Sequence, residues 1–63
     1  MKNKIKEYRQ RKGLTQIELA QKSGVSRTVI AQLESGVRDN TTADTMLKIS
    51  KALGKSVEEI FLL

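Results

Sequence analysis

The segment 26–36, with the sequence SRTVIAQLESG, carries an unusual polar face on a predicted helix. Ile30 and Leu33 mark the inward side at helical spacing. The opposite side carries four residues: Arg27, Thr28, Ala31 and Gln32. A solvated helix usually presents Lys and Glu there, whereas a guanidinium or a carboxamide can form two parallel hydrogen bonds to a flat partner such as the edge of a base. On these residues alone, simple exposure to solvent is the better interpretation.

Residue types exclude most catalytic and metal-binding chemistry. The 63 residues include no Cys and no His, which excludes Cys/His zinc sites and catalysis by a thiol or an imidazole. Glu58 and Glu59 are paired carboxylates, but neighbours in a helix do not face each other. No run reaches the roughly 18 apolar residues of a membrane span. We therefore expect that the protein is not an enzyme and that it binds no cofactor, small-molecule ligand or membrane. The absence of Cys fits a cytoplasmic location.

The net charge of +5 is concentrated near the start of the chain. Residues 1–12 carry all of the excess, and the remaining bases and acids balance. Such a distribution favours an anionic partner, with nucleic acid first and a membrane surface second. Solubility alone is the simpler alternative. Sixty-three residues form at most one domain, spanning residues 1–63.

Five short helical segments are predicted, giving an all-α architecture. They cover about 2–12, 16–22 and 27–34, a fourth segment from Thr41 or Thr42 to Leu53, and a short one after Ser56. Capping boxes are expected at three starts, where an acidic residue follows a hydroxyl residue by three positions. These pairs are Thr15 with Glu18, Thr41 with Asp44, and Ser56 with Glu59.

Apolar stripes indicate which side of each later helix faces inward. Met46, Ile49, Ser50 and Leu53 form the stripe of the fourth segment, with Ala43 and Leu47 on its shoulder. The last segment has a face made by Val57, Ile60 and Phe61.

Two helices joined by the turn SGVS have the proportions of a helix-turn-helix, at about residues 16–35. The frame TQIELAQKSGVSRTVIAQLESG resembles the lambda-repressor/Cro-like family, also called the xenobiotic-response-element type. The matching positions are Gln16, Ala20, Gly24, Ile30 and Leu33. The lead-in RKGLTQ and the tail TMLKISKALGKSVEEIF are also similar to family patterns, so the resemblance covers nearly the whole chain. It implies a compact five-helix lambda-repressor-like DNA-binding domain.

The resemblance gives the polar face a purpose, because a recognition helix places its N-terminal residues against base edges in the major groove. It implies base contacts by Arg27, Thr28, Ala31 and Gln32. Arg27 suits guanine, Gln32 suits adenine, and Thr28 or Ala31 can touch a thymine methyl group. It also implies contacts with the DNA backbone by five further residues: Gln16, Ser26, Arg38, Asn40 and Thr41.

Two positions depart from the family pattern. The position of Val29 often carries a larger polar or aromatic residue that reaches phosphate, and Val has no donor. Asp39 adds a negative charge to the loop that faces the DNA backbone. We therefore expect fewer phosphate contacts from this side, and the basic first segment can compensate for them.

Arg9 occupies an inward position of the first helix, and Glu34 borders the inward stripe of the third. A partly buried charge without a partner is unfavourable, whereas a hydrogen-bonded Arg–carboxylate pair is tolerated. We predict that Arg9 and Glu34 bond to each other and lock the first helix to the third; the family resemblance implies the same bridge. The alternative is two separate surface charges.

The apolar end of the chain provides candidates for a dimer interface: Val57, Phe61, Leu62 and Leu63. Consecutive apolar residues cannot all point to one core. We expect a homodimeric regulator of transcription, a repressor, that binds double-stranded DNA at a palindromic operator. The alternative is an antitoxin or anti-regulator, which binds a partner protein and regulates its own operon.

Overall fold

The computed structural model describes residues 2–62. Within this range the helices are α1 (Ile5–Arg11), α2 (Gln16–Ser23), α3 (Arg27–Ser35), α4 (Ala43–Leu53) and α5 (Val57–Phe61). The predicted all-α, five-helix architecture is confirmed. No helix among the described residues has both the length and the apolar character needed to cross a lipid bilayer.

Helix α1 begins three residues later than the sequence predicts. The side chain of Asn3 accepts a hydrogen bond from the Ile5 N–H at 3.2 Å and donates to the Leu33 carbonyl at 2.9 Å. The backbone N–H of Lys4 donates to the Ile60 carbonyl at 2.6 Å. The chain before α1 is thus tied to the ends of α3 and α5 instead of continuing the helix.

The starts of α2 to α5 are fixed by side-chain caps. The predicted capping boxes are present at Thr15–Glu18 and at Ser56–Glu59. The box predicted between Thr41 and Asp44 is wrong. Thr42 caps α4 by accepting from the backbone N–H of Thr45, and Asp44 instead pairs with Lys48 one turn later. Both Thr residues suit a cap, and the acidic residue three positions after Thr41 does not decide between them.

All five helices contribute to one core. Its fully buried side chains are Phe61, Ile5, Leu19, Ile30, Leu33, Ile49, Leu53 and Ile60. Three details of α4 differ from the predicted stripe: Ala52 is buried, Leu47 is 53% exposed, and Ala43 is exposed as well. Helix α2 packs against both α3 and α4, and α1 packs across α3, α4 and α5. The core therefore holds α3 from its inner side.

The chain end divides between core and surface. Phe61 is only 1% exposed, so its prediction as a dimer contact is wrong: the ring fills the protein's own core. Val57 is half-buried and packs against the same core. Leu62 follows with a left-handed backbone (φ 55°) and is 48% exposed. Leu63 lies outside the described residues.

Candidate nucleic-acid interface

The turn between α2 and α3 is built around a glycine. Gly24 has φ of 76°, a left-handed conformation that other residues adopt only with strain, and its N–H donates to the Ala20 carbonyl. Val25 is buried beneath the turn. The hydroxyl of Ser26 then accepts from the Val29 N–H at 3.2 Å and starts α3. This local chemistry makes α3 leave the turn at a defined position.

The outer side of α3 carries the four residues predicted to contact bases. Arg27 and Thr28 are exposed in its first turn, and Ala31 and Gln32 are half-buried one turn later. Ile30 and Leu33 are buried on the other side. The structure thus brings the four residues onto one accessible face, in agreement with the spacing.

Arg9 and Glu34 form a two-pronged ion pair between α1 and α3. The Nε of Arg9 lies 2.8 Å from Oε2 of Glu34, and Nη2 lies 3.0 Å from Oε1. A third donor, Nη1, bonds to the Leu14 carbonyl at 2.7 Å. The side chains are only 10% and 5% exposed. Hydrogen bonding to Glu34 raises the pKa of Arg9, against the opposite effect of burial.

Gln16 joins this ion pair from the start of α2. Its Nε2 donates to Oε1 of Glu34 at 3.1 Å. A carboxamide nitrogen has two hydrogens, so one N–H of Gln16 remains for another acceptor. Glu34 therefore connects three helices through Arg9 and Gln16, and it orients a side chain predicted to contact phosphate.

The loop after α3 is bonded back to the outer face. Two donors of Arg38, Nε and Nη2, lie 3.2 and 3.0 Å from Oε1 of Gln32. The N–H of Arg38 also donates to the Gln32 carbonyl at 3.1 Å. A predicted backbone contact and a predicted base contact are thus bonded to each other. Asn40 is exposed and Thr41 is half-buried in the same loop.

Several of these contacts were missed from the sequence. The bonds of Asn3 to α3, of Leu14 to Arg9, and of Arg38 to Gln32 each join residues from different elements or involve a backbone carbonyl. The hydrogen-bonding capacity of these side chains was visible in the sequence. Their partners depend on the path of the turns and carry no local sequence signal.

Comparison with known proteins agrees with this geometry. Residues 5–60 match the helix-turn-helix family. An HTH-type transcriptional regulator of Methanocaldococcus jannaschii is 45% identical over 62 residues, which are 98% of this chain and 92% of that protein. The HTH-type transcriptional regulator SinR of Bacillus subtilis is 33% identical over 57 residues, covering 90% of this chain and 51% of SinR.

A solved structure shares the fold as well as the sequence. The restriction-modification controller protein C.AhdI from Aeromonas hydrophila matches with a TM-score of 0.82 and 36% identity, over 89% of this chain and 83% of that one. The family match, the relatives and the fold agree. The chain belongs to the Cro-like helix-turn-helix family of DNA-binding transcription regulators.

Proposed function

We propose that this protein is a sequence-specific regulator of transcription, a repressor, which reads double-stranded DNA in the major groove with the outer face of α3. The observation that carries the proposal is the exposure of Arg27 and Thr28 in the first turn of a helix that the core and the Arg9–Glu34 pair hold from behind. A fixed helix presents its side chains at a defined register, which base reading requires. We infer that the protein acts in the cytoplasm, as its likeness to DNA-binding transcription regulators supports.

Contacts with phosphate would come from both ends of this face. The remaining N–H of Gln16 lies at the start of α2, where free backbone N–H groups and the helix dipole favour an anion. On the other side, Arg38 has donors left after its bonds to Gln32. Ser26, Asn40 and Thr41 are further candidates. These contacts would set the register without selecting sequence.

Two copies of the protein would bind one operator. A single recognition helix reads only a few base pairs, and two-fold dimers place two such helices about 34 Å apart on a palindromic site. Leu62, 48% exposed at the end of α5, provides an apolar contact at the edge of a groove that is otherwise lined mainly by polar and charged residues, among them Lys2, Lys4 and Glu34. We propose that the end of α5 at Leu62 forms the homodimer interface.

The direct test is selection of bound duplexes from random DNA, with the native protein and with Arg27→Ala and Gln32→Ala. We expect a two-fold symmetric consensus for the native protein. Each variant should lose its base preference at one position in each half-site. Each lost bidentate contact should reduce the discrimination between bases there by about 1–3 kcal/mol. Uniformly weaker binding with an unchanged consensus would make these residues backbone contacts instead. Failure to enrich any sequence would contradict the proposed function.

A further inference from the structure

Gln32 is held by Arg38 at both its backbone and its side chain. The main-chain carbonyl of Gln32 accepts from the Arg38 N–H at 3.1 Å, and its Oε1 accepts from two donors of the guanidinium, at 3.2 and 3.0 Å. Ser35 adds a bond from its hydroxyl to the same main-chain carbonyl at 3.2 Å. The side chain of Gln32 therefore has a defined orientation on the outer face of α3.

The chemistry of arginine determines which end of the carboxamide faces the loop. A guanidinium has donors and no acceptor, so only Oε1 of Gln32 can face it. Two N–H groups already occupy this oxygen, and Nε2 is left as the free end of the amide. In this arrangement Gln32 offers hydrogen-bond donors to a ligand and no unoccupied acceptor.

This orientation changes the base that Gln32 can recognise. Bidentate recognition of adenine needs glutamine to accept from N6–H and to donate to N7, whereas guanine presents two acceptors, N7 and O6. An amide that offers only Nε2 would place its donor against the N6–H group of adenine. We propose that Arg38 is a specificity-positioning residue, which holds Gln32 as a donor and turns its preference from adenine to guanine. This inference rests on the proposed function.

Arg38 can hold Gln32 and contact DNA at the same time. Its bonds to Gln32 use one edge of the guanidinium, Nε and Nη2, and Nη1 still has two hydrogens for a phosphate oxygen. Lysine has a single ammonium group and cannot reproduce both contacts in one geometry. When α3 enters the groove, water is displaced around the pair and its hydrogen bonds become stronger. The pairing is therefore compatible with the bound state.

Selection from random duplexes, followed by affinity measurements at several salt concentrations, tests the inference. The native protein should prefer guanine at the position that depends on Gln32. In Arg38→Ala the ratio of guanine to adenine there should fall by about tenfold or more. Arg38→Lys should lower the ratio while keeping the native salt dependence, because it retains the charge. Arg38 is exposed, and circular dichroism of each variant checks that the fold is retained.

The Gln32→Ala background separates positioning from direct reading. If Arg38 acts through Gln32, Arg38→Ala should leave the base preference of Gln32→Ala unchanged. The inference is overturned if Arg38→Ala still lowers the guanine-to-adenine ratio when residue 32 is Ala, since Arg38 would then read the base itself. It is also overturned if neither Arg38 variant changes the ratio. A native consensus that Gln32→Ala does not alter would instead overturn the role of Gln32 in the proposed function.

Discussion

Glu34→Ala tests whether the Arg9–Glu34 ion pair stabilises the fold by joining α1 to α3. Of the four hydrogen bonds in this cluster, three end on the Glu34 carboxylate. The substitution removes those three and leaves the guanidinium of Arg9, 10% exposed, with the Leu14 carbonyl alone. Removing one partner of a buried pair destabilises by about 3–5 kcal/mol. Because Arg9 keeps one acceptor and some access to water, we expect about 3 kcal/mol.

This loss is large for a chain of 63 residues, whose total stability is about 3–9 kcal/mol. Urea unfolding followed by circular dichroism measures it; with a slope of about 1 kcal/mol per molar, the midpoint should fall by roughly 3 M. Glu34→Gln keeps the shape and one acceptor, so its loss should be smaller but clear. Replacing both partners, as in Arg9→Met with Glu34→Leu, should destabilise by less than the sum of the single changes.

Lys48→Ala is the matched control, because Lys48 and Asp44 form an exposed ion pair at a similar distance of 3.0 Å. We expect it to change the free energy of unfolding by less than about 0.5 kcal/mol. If Glu34→Ala were as mild as Lys48→Ala, the Arg9–Glu34 pair would behave as a surface pair. The pair would then not lock α1 to α3.

Further predictions concern the turn, the helix caps and the chain end. Gly24→Ala should destabilise the protein by about 1–2 kcal/mol in thermal unfolding, through backbone strain alone, since an added Cβ meets nothing within 4 Å. Gly24→Asn should lose less stability, because Asn tolerates the left-handed backbone better. Equal losses of stability in the two variants would exclude backbone strain as the cause. Hydrogen bonds from the capping boxes lower the pKa of Glu18 and of Glu59. Their stabilisation is therefore complete above the ordinary Glu pKa and is lost as the pH falls through the lowered folded values. In the double variant Glu18→Gln with Glu59→Gln, each side chain keeps an acceptor but cannot titrate. Urea unfolding should show that its stability falls less between about pH 5 and pH 3 than that of the native protein. An unchanged pH dependence would mean that the capping boxes do not cause the loss of stability in acid. Leu62→Asn should keep the fold, because Asn tolerates the left-handed backbone there, and should weaken dimerisation in sedimentation equilibrium. If the native protein stayed monomeric at high micromolar concentration, with and without DNA, the proposed dimer would be refuted.

The elements of the fold could be predicted wherever the determining signal was local. Thr15 with Glu18 and Ser56 with Glu59 lie three residues apart, so each capping box was readable in the sequence. The same rule failed at the start of α4, where Asp44 follows Thr41 by three positions but the adjacent Thr42 provides the cap. Phe61 lies on the predicted apolar face of the last segment and is also one of several consecutive apolar residues, so the sequence offers it both to the core and to a dimer interface; the last turn of α5 points it into the core.

The candidate site was only partly predictable. The outer face of α3 follows from helical spacing, and a pair of charges on inward stripes indicates a bridge. By contrast, the bond between Arg38 and Gln32 depends on the turn at Gly36, where φ is 84°. That turn brings the loop back along the helix, and no spacing rule gives its direction. A side chain with several donors can bond to many acceptors, so its partners cannot be predicted until the path of the backbone is known.

Recognition of DNA by this protein is proposed to rest on α3 and on the loop after it. The most direct measurement is the change in backbone amide chemical shifts when the duplex obtained by selection is added to the labelled protein. We expect large changes at residues 27–32, at Gln16 and at residues 38–41, with smaller changes along α4. Changes concentrated on α4 and α5, with residues 27–32 unaffected, would contradict this proposal.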